Sequence, residues 1–124
     1  MVVTQVLILL DTNVALYYLG NRLTNTLPTG KYLVSVITEM ELLSYPNMSE
    51  SEELIVRDFL DKITVVGLDN NIKELAIAFR KNYKLKLPDA IVAATAKSLN
   101  ANLLTNDLKL RKMTEINTES VSIS

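Results

Sequence analysis

Residues 6–10 are all apolar, and this run ends abruptly at Asp11. A short, continuous apolar run that stops at a polar residue is typical of a strand buried on both faces of a parallel sheet. Parallel strands need a crossover connection between them, and that connection is usually a helix. The amino-terminal run therefore predicts an α/β domain in which strands alternate with helices.

The rest of the chain continues this alternation. Pro46 should end a helix opened by Thr38, because the residue before a proline disfavours helical backbone angles. Ser49 or Ser51 should cap the next helix, whose apolar stripe reaches Ile63. Further strands are predicted over residues 32–37, 64–67, 103–104 and 120–123, and further helices over residues 12–19, 72–83, 87–99 and 108–113. This order of elements indicates an α/β fold with a parallel sheet.

Histidine and cysteine are both absent from the sequence. Without cysteine the chain has no disulfide framework, no thiolate metal site and no cysteine nucleophile. Without histidine it has no Ser-His-Asp triad, no imidazole acid–base pair and no histidine-ligated zinc. Chemistry must therefore come from carboxylates, lysine, tyrosine, hydroxyls or a hard cation held by oxygen ligands.

Length and the amino-terminal segment indicate one domain over residues 1–124, expected in the cytoplasm. A chain of 124 residues with 48% apolar residues can bury one core, and two domains would not fit. No basic residue precedes the apolar run, which ends at Asp11. We therefore expect neither a signal peptide nor a membrane span.

Charge is nearly balanced overall but unevenly distributed along the chain. The net charge is -1, so bulk attraction does not predict binding to nucleic acid. Residues 39–61 carry seven acids against one base, whereas residues 80–112 carry eight bases against two acids. Either these are two solvated faces, or the basic segment binds an anionic ligand.

Three aspartates stand at predicted element boundaries. Asp11 and Asp107 each follow a strand, and Asp89 follows Pro88 at the start of a helix. Each position has an ordinary structural explanation, since aspartate caps a helix or favours its positive amino-terminal end. Taken singly, none of the three indicates catalysis.

Glu41 has no such explanation, because it lies inside a predicted helix among apolar neighbours. Burying its charge there would be costly. Glu39 is two residues away and about 200° around the helix, so the two carboxylates point in different directions. The pattern does not decide which of them is solvated.

Together, the three aspartates and a glutamate from this helix could converge on one edge of the sheet, where ligands of parallel sheets bind. Converging carboxylates repel one another, which raises their pKa values unless a cation neutralises them. Oxygen-only ligands favour Mg²⁺ or Mn²⁺. Two such ions about 4 Å apart can stabilise the attacking and leaving oxygens of a phosphoryl displacement.

The chain resembles the PIN-domain ribonucleases, and most closely the VapC-type toxins of bacterial toxin–antitoxin pairs. Any one matching segment is weak evidence, but all four come in the family's order and spacing between residues 7 and 107. The segments are LDTN at residues 10–13, SVITEMELL at 35–43, LKLPDAIVAATA at 85–96 and LLTND at 103–107.

The resemblance implies a role for each matching polar residue. It favours Glu41 over Glu39 as the glutamate of the family's acidic quartet. Asn13 and Thr105 match positions that support the acids by hydrogen bonding. The catalytic and metal-binding residues implied are Asp11, Glu41, Asp89 and Asp107, with Mg²⁺ or Mn²⁺ as the cofactor.

The resemblance also implies an activity and partners. The family hydrolyses RNA phosphodiester bonds and leaves 5′-phosphate and 3′-hydroxyl ends. VapC-type toxins usually form homodimers and are neutralised by a VapB-like antitoxin, whose tail lies across the acidic site. The implied fold is a parallel sheet of about five strands with helices on both faces, in a metal-dependent endoribonuclease.

Basic residues close to two of the quartet acids in sequence are expected to bind the RNA backbone. These residues are Arg80, Lys84, Lys86, Lys109, Arg111 and Lys112. At Lys109 the sequence also departs from the family pattern. Relatives often have another acid two residues after the last quartet member, followed by an aromatic residue, where this chain has Lys109 and Leu110.

Two other classes of protein, a phosphatase and a signalling domain, are disfavoured, and one alternative function stays open. A haloacid-dehalogenase-like phosphatase would need a second aspartate at the position of Asn13. A receiver domain would need an aspartate at the end of its third strand, where residues 65–67 offer none. The open alternative is a catalytically inactive PIN-like scaffold that binds RNA or protein.

Overall fold

The computed structural model describes residues 5–124 and, within them, one sheet of five parallel strands. Residues 1–4 lie outside the described range. The expectation that the amino-terminal segment contains no signal peptide falls partly on these residues. The strand order is β3-β2-β1-β4-β5. The strands are β1 (Leu7–Leu10), β2 (Lys31–Ser35), β3 (Thr64–Val66), β4 (Asn102–Leu104) and β5 (Asn117–Glu119). The predicted α/β fold with a five-stranded parallel sheet is confirmed.

Six helices connect or follow the strands within residues 5–124. Local signals set several of their ends: Ser49 caps the third helix and forms a reciprocal capping box with Glu52. Gly20 closes the first helix, as predicted. The helices are α1 (Thr12–Leu19), α2 (Val36–Leu43), α3 (Glu50–Asp61), α4 (Asn70–Tyr83), α5 (Leu87–Leu99) and α6 (Leu108–Arg111).

The predicted end of the second strand was wrong by two residues. Strand β2 ends at Ser35, and α2 begins at Val36 rather than at Thr38. The Ser35 side chain caps the helix by accepting the Ile37 N–H at 3.2 Å. A capping serine thus overrides the β-branched residues that favoured a longer strand.

The predicted fifth strand was also misplaced. Strand β5 is Asn117–Glu119, whereas the prediction was residues 120–123. Pairing with β4 selects the earlier segment, and Ile123 forms only an isolated antiparallel bridge with Leu23. An edge strand with one paired side needs little apolar sequence, so its apolar pattern was a poor guide.

The sheet carries a core on each face, because successive strand residues point to opposite sides. Ile8 and Leu10 lie in the cluster that packs against α1, α2 and α3. Leu9 lies in the other cluster, with the small residues of α5, among them Ala93 and Ala94, packed close to the sheet. Helices α1, α2 and α6 all begin at the carboxyl edge of the sheet. None of the helices between residues 5 and 124 is long and apolar enough to span a membrane.

Candidate functional site

The candidate site lies at the carboxyl ends of β1, β2 and β4, which are neighbours in the sheet. Register places the ends of β1 and β4 side by side, because Leu10 pairs with Leu104. The Asp11 N–H also donates to the Leu104 carbonyl at 3.2 Å. Asp11 and Thr105, the next residues in each chain segment, are therefore adjacent.

Asp11 is a buried carboxylate that the fold holds through both oxygens. Its Oδ1 accepts the Val14 N–H at 2.7 Å, so Asp11 caps α1. Its Oδ2 accepts a hydrogen bond from the Thr105 hydroxyl. Burial raises the pKa of Asp11, hydrogen bonds from Thr105 and Val14 oppose that rise, and the charge of Asp107 adds to it. The helix-cap interpretation of Asp11 is confirmed, and the same carboxyl group faces another acid.

Thr105 connects Asp11 to Asp107. Its side chain is completely buried. Its hydroxyl donates to Asp11 and accepts the Asp107 N–H at 3.0 Å. The Asp107 carboxylate then caps α6, since Oδ1 accepts the N–H groups of Lys109 at 2.8 Å and Leu110 at 3.3 Å. Two acids on neighbouring strand ends are thus held in one hydrogen-bonded chain.

Asp89 shows that the four acids share one electrostatic environment. It lies in the first turn of α5, after Pro88, and is half-buried. Burial raises the pKa of Asp89 most, and the charges of Asp107, Glu41 and Asp11 raise it further. Charges carried by three other elements therefore act on Asp89, and the order of the elements places all four acids at the carboxyl edge of the sheet.

Glu41 reaches the site from α2 and is held there by a hydroxyl group. Its Oε1 accepts a hydrogen bond from the Thr12 hydroxyl at 2.7 Å. Thr12 Oγ1 lies 3.0 Å from Thr38 Oγ1 on the same helix as the glutamate. Of the two glutamates that the sequence pattern left open, Glu41 is therefore the one whose charge acts on Asp89.

Sequence reasoning missed Thr12 and Thr38. A signal for each was available, because Thr38 precedes Glu41 by one helical turn and Thr12 directly follows Asp11. Asn13, expected to support the acids, has an exposed side chain. Its effect on Asp11 comes from a backbone hydrogen bond, which lowers the pKa of that carboxyl group.

Three lysines lie within five residues of Asp89 or Asp107 in sequence, and we call Lys84, Lys86 and Lys109 the basic rim. Lys84 directly follows α4, and Lys86 directly precedes α5 without a side-chain hydrogen bond to the helix. Lys109 Nζ donates to the Lys84 carbonyl at 3.4 Å, which joins two segments distant in sequence. Lys86 lowers the pKa of Asp89 through its charge. The other expected RNA contacts, Arg80, Arg111 and Lys112, are exposed on α4 and at the end of α6.

The departure at Lys109 and Leu110 has a structural consequence. Leu110 is almost completely buried and belongs to the core cluster that contains Leu9. Lys109 is exposed and joins the basic rim. This chain thus carries a positively charged residue two positions after Asp107.

The donor set at this edge suits a hard divalent cation. Its side chains offer carboxylate and hydroxyl oxygens, the ligands that Mg²⁺ and Mn²⁺ prefer. Burial raises the pKa of Asp89 most, and a cation would relieve the additional rise that comes from repulsion by the other acids. Among residues 5–124, no three acidic side chains lie as close together as in a preassembled metal site.

A cavity of about 970 Å³ lies elsewhere among residues 5–124. It is lined by the loop that contains Leu27 and by α3, and none of the four acids borders it. The candidate site therefore rests on the convergence of carboxylates and not on cavity size.

Comparisons with known proteins identify a family pattern in the sequence and solved structures with a similar fold. The sequence pattern of the PIN domain matches residues 8–116. No curated protein is significantly similar in sequence. Among solved structures, a toxin–antitoxin complex from Klebsiella pneumoniae is 28% identical, with a TM-score of 0.75, covering 90% of this chain and 95% of that one.

Two further solved structures resemble the fold at lower identity. DNA-bound VapBC from Salmonella typhimurium is 22% identical with a TM-score of 0.80, covering 93% of this chain and 98% of that chain. VapBC2 from Rickettsia felis, bound to a promoter DNA fragment, is 18% identical with a TM-score of 0.78, covering 94% and 99%. These similarities extend over nearly the whole length of both chains.

Proposed function

The chain belongs to the PIN domain family, and from this premise we propose that it is a metal-dependent endoribonuclease toxin of the VapC type. It hydrolyses RNA phosphodiester bonds as a single domain in the cytoplasm. One observation carries the proposal: the Thr105 hydroxyl joins Asp11 to Asp107 at the ends of two neighbouring strands, at the edge of the sheet where Glu41 and Asp89 also lie. Four converging carboxylates in a site without histidine or cysteine leave a hard cation as the activator of water.

The four acids would hold Mg²⁺ or Mn²⁺. When bound, such ions supply positive charge for the transition state and lower the pKa of water. The chain's own residues set the positions of the ligands: the Val14 N–H and the Thr105 hydroxyl fix the Asp11 carboxyl group. The first turn of α6 fixes Asp107 through its N–H groups. This arrangement fixes two of the acids before RNA binds.

Metal removal tests the proposal directly. We expect purified protein to cleave total RNA in Mg²⁺, to lose that activity in EDTA and to regain it when excess Mg²⁺ is added back, because the cation would lower the pKa of the attacking water and stabilise the charge of the transition state. An Asp89→Asn preparation purified in the same way controls for contaminating nucleases. Cleavage that survives EDTA, or that persists in the control, would contradict the assignment. RNA binding without cleavage would favour a non-cleaving scaffold.

RNA binding is proposed to depend on the basic rim. The overall charge is -1, so attraction to phosphate must be local; the charge of Lys86 acts on Asp89, and Lys109 is hydrogen-bonded to the Lys84 carbonyl. We expect the logarithm of the binding constant to fall as salt rises, with a slope of about 0.7 per phosphate contact on a single strand. Replacing the three lysines by glutamine should reduce the slope accordingly.

The measurement uses catalytically inactive Asp89→Asn protein and a fluorescent RNA, titrated at several salt concentrations. Lys97→Gln is the matched control, because Lys97 is an exposed lysine in the last turn of α5, at the opposite end of the helix from Asp89. Equal changes in slope for the control and the rim variant would show that the rim has no special role.

The proposed partners are a VapB-like antitoxin and a second copy of the chain. Similar solved structures are toxin–antitoxin complexes, which supports an antitoxin partner. The negative charge of the four acids supports inhibition by a basic side chain, because converging carboxylates attract such a side chain when no metal neutralises them. An arginine can satisfy two carboxylate oxygens with paired hydrogen bonds, so we propose that an antitoxin arginine enters the acid cluster.

A further inference from the structure

Two threonine hydroxyl groups link helices α1 and α2 at Glu41. Thr12 is the first residue of α1, and Thr38 lies one turn before Glu41 on α2. The Thr12 hydroxyl is 2.7 Å from Glu41 Oε1 and 3.0 Å from Thr38 Oγ1. A glutamate on one helix is thus held by the first residue of another.

The direction of both hydrogen bonds follows from simple chemistry. A carboxylate only accepts hydrogen bonds, and a hydroxyl group has one proton to donate. Thr12 therefore donates its proton to Glu41. The hydroxyl of Thr38, which is completely buried, then donates to Thr12. Thr38 thereby directs the Thr12 proton toward the carboxylate.

This link also connects Glu41 with Asp11. Asp11 caps α1 and Thr12 is the next residue, so two consecutive residues position two carboxylates of the site. A glutamate side chain has several rotatable bonds and would otherwise sample several rotamers on the surface of α2. Holding one rotamer is the usual task of groups that surround a metal ligand.

We propose that Thr12, oriented by Thr38, is a positioning residue that sets the Glu41 carboxylate for divalent-cation binding. This inference rests on the proposed function, because it assigns the hydroxyl pair to the same acidic site. Thr12 acts through Glu41 and not on the RNA. Loss of its hydroxyl should therefore weaken cation binding even when no RNA is present.

The experiment measures Mn²⁺ binding to the full chain by titration calorimetry, without RNA. We expect Thr12→Val to weaken binding by about 10-fold, the lower end of the range for groups that orient metal ligands. Thr12→Ser retains the hydroxyl and should restore binding close to wild type. Thr38→Val acts on the same hydroxyl from the other helix and should weaken binding in the same direction.

Thr95→Val is the matched control. Thr95 is as buried as Thr38, but its hydroxyl donates to the Ile91 carbonyl of its own helix. This variant should bind Mn²⁺ like wild type. In a Glu41→Ala background, Thr12→Val should cause no further loss, because the side chain that Thr12 positions is absent.

The outcomes separate this inference from the function on which it rests. A wild-type protein that binds no Mn²⁺ and cleaves no RNA overturns the proposed function and this inference together. A wild-type protein that binds Mn²⁺, with Thr12→Val and Thr38→Val binding equally well, overturns this inference alone. Equal weakening by Thr95→Val also overturns it, since the effect would then come from general loss of stability.

Discussion

Glu41→Gln is expected to lower RNA cleavage by about 100-fold or more, because metal ions contribute several kcal/mol of charge stabilisation and each 1.4 kcal/mol is tenfold in rate. Glutamine keeps the shape of glutamate, and its carbonyl oxygen can still accept the Thr12 hydroxyl. The charge that acts on Asp89 is lost. We expect the fold to be preserved while activity disappears.

The matched control is Glu39→Gln, which removes the same charge from the same helix. Its activity should stay within about twofold of wild type, since substitutions away from functional groups usually change free energies by less than 0.5 kcal/mol. Single-turnover cleavage of a labelled RNA measures both variants, and circular dichroism checks their folding. Equal losses for the two variants would contradict the assignment of Glu41 to the site.

Asp11→Asn should also abolish cleavage, yet leave the metal-free protein as stable as wild type or more stable at neutral pH. Burial raises the pKa of Asp11 in the folded protein above its ordinary value of 3.8. Ionising this group therefore costs folded-state stability at pH values above the raised pKa. Asparagine removes that cost and still caps α1, because asparagine and aspartate are comparable N-caps.

The stability difference between Asp11→Asn and wild type should depend on pH with a definite sign. A carboxyl group with a raised folded pKa destabilises the fold at high pH, and that destabilisation is relieved as pH falls through the folded pKa. The stability advantage of Asp11→Asn should therefore shrink as pH is lowered from neutral toward 3.8. Thermal unfolding in EDTA across this range measures it. A large drop in the melting temperature of the variant at pH 7 would show that the charged cap dominates.

Local sequence signals predicted much of the fold. The apolar run that ends at Leu10 identified the central strand, and Gly20 and Ser49 marked helix ends that the structure confirms. Prediction failed where two local preferences competed, as at Ser35, where a helix cap overrode a β-branched run. It also failed at β5, because pairing with β4 and not apolar pattern selects an edge strand.

The sequence by itself determined the alternation of strands and helices, the absence of thiol and imidazole chemistry, and a short set of candidate acids. The tertiary structure alone decided how those acids are held and brought Glu41 to the site. Thr105 and Asp11 are 94 positions apart, and Thr12 and Glu41 are 29 apart. Local patterns carry no information about which hydroxyl meets which carboxylate over such separations, because those contacts form only when strand order and register bring distant residues to one edge of the sheet.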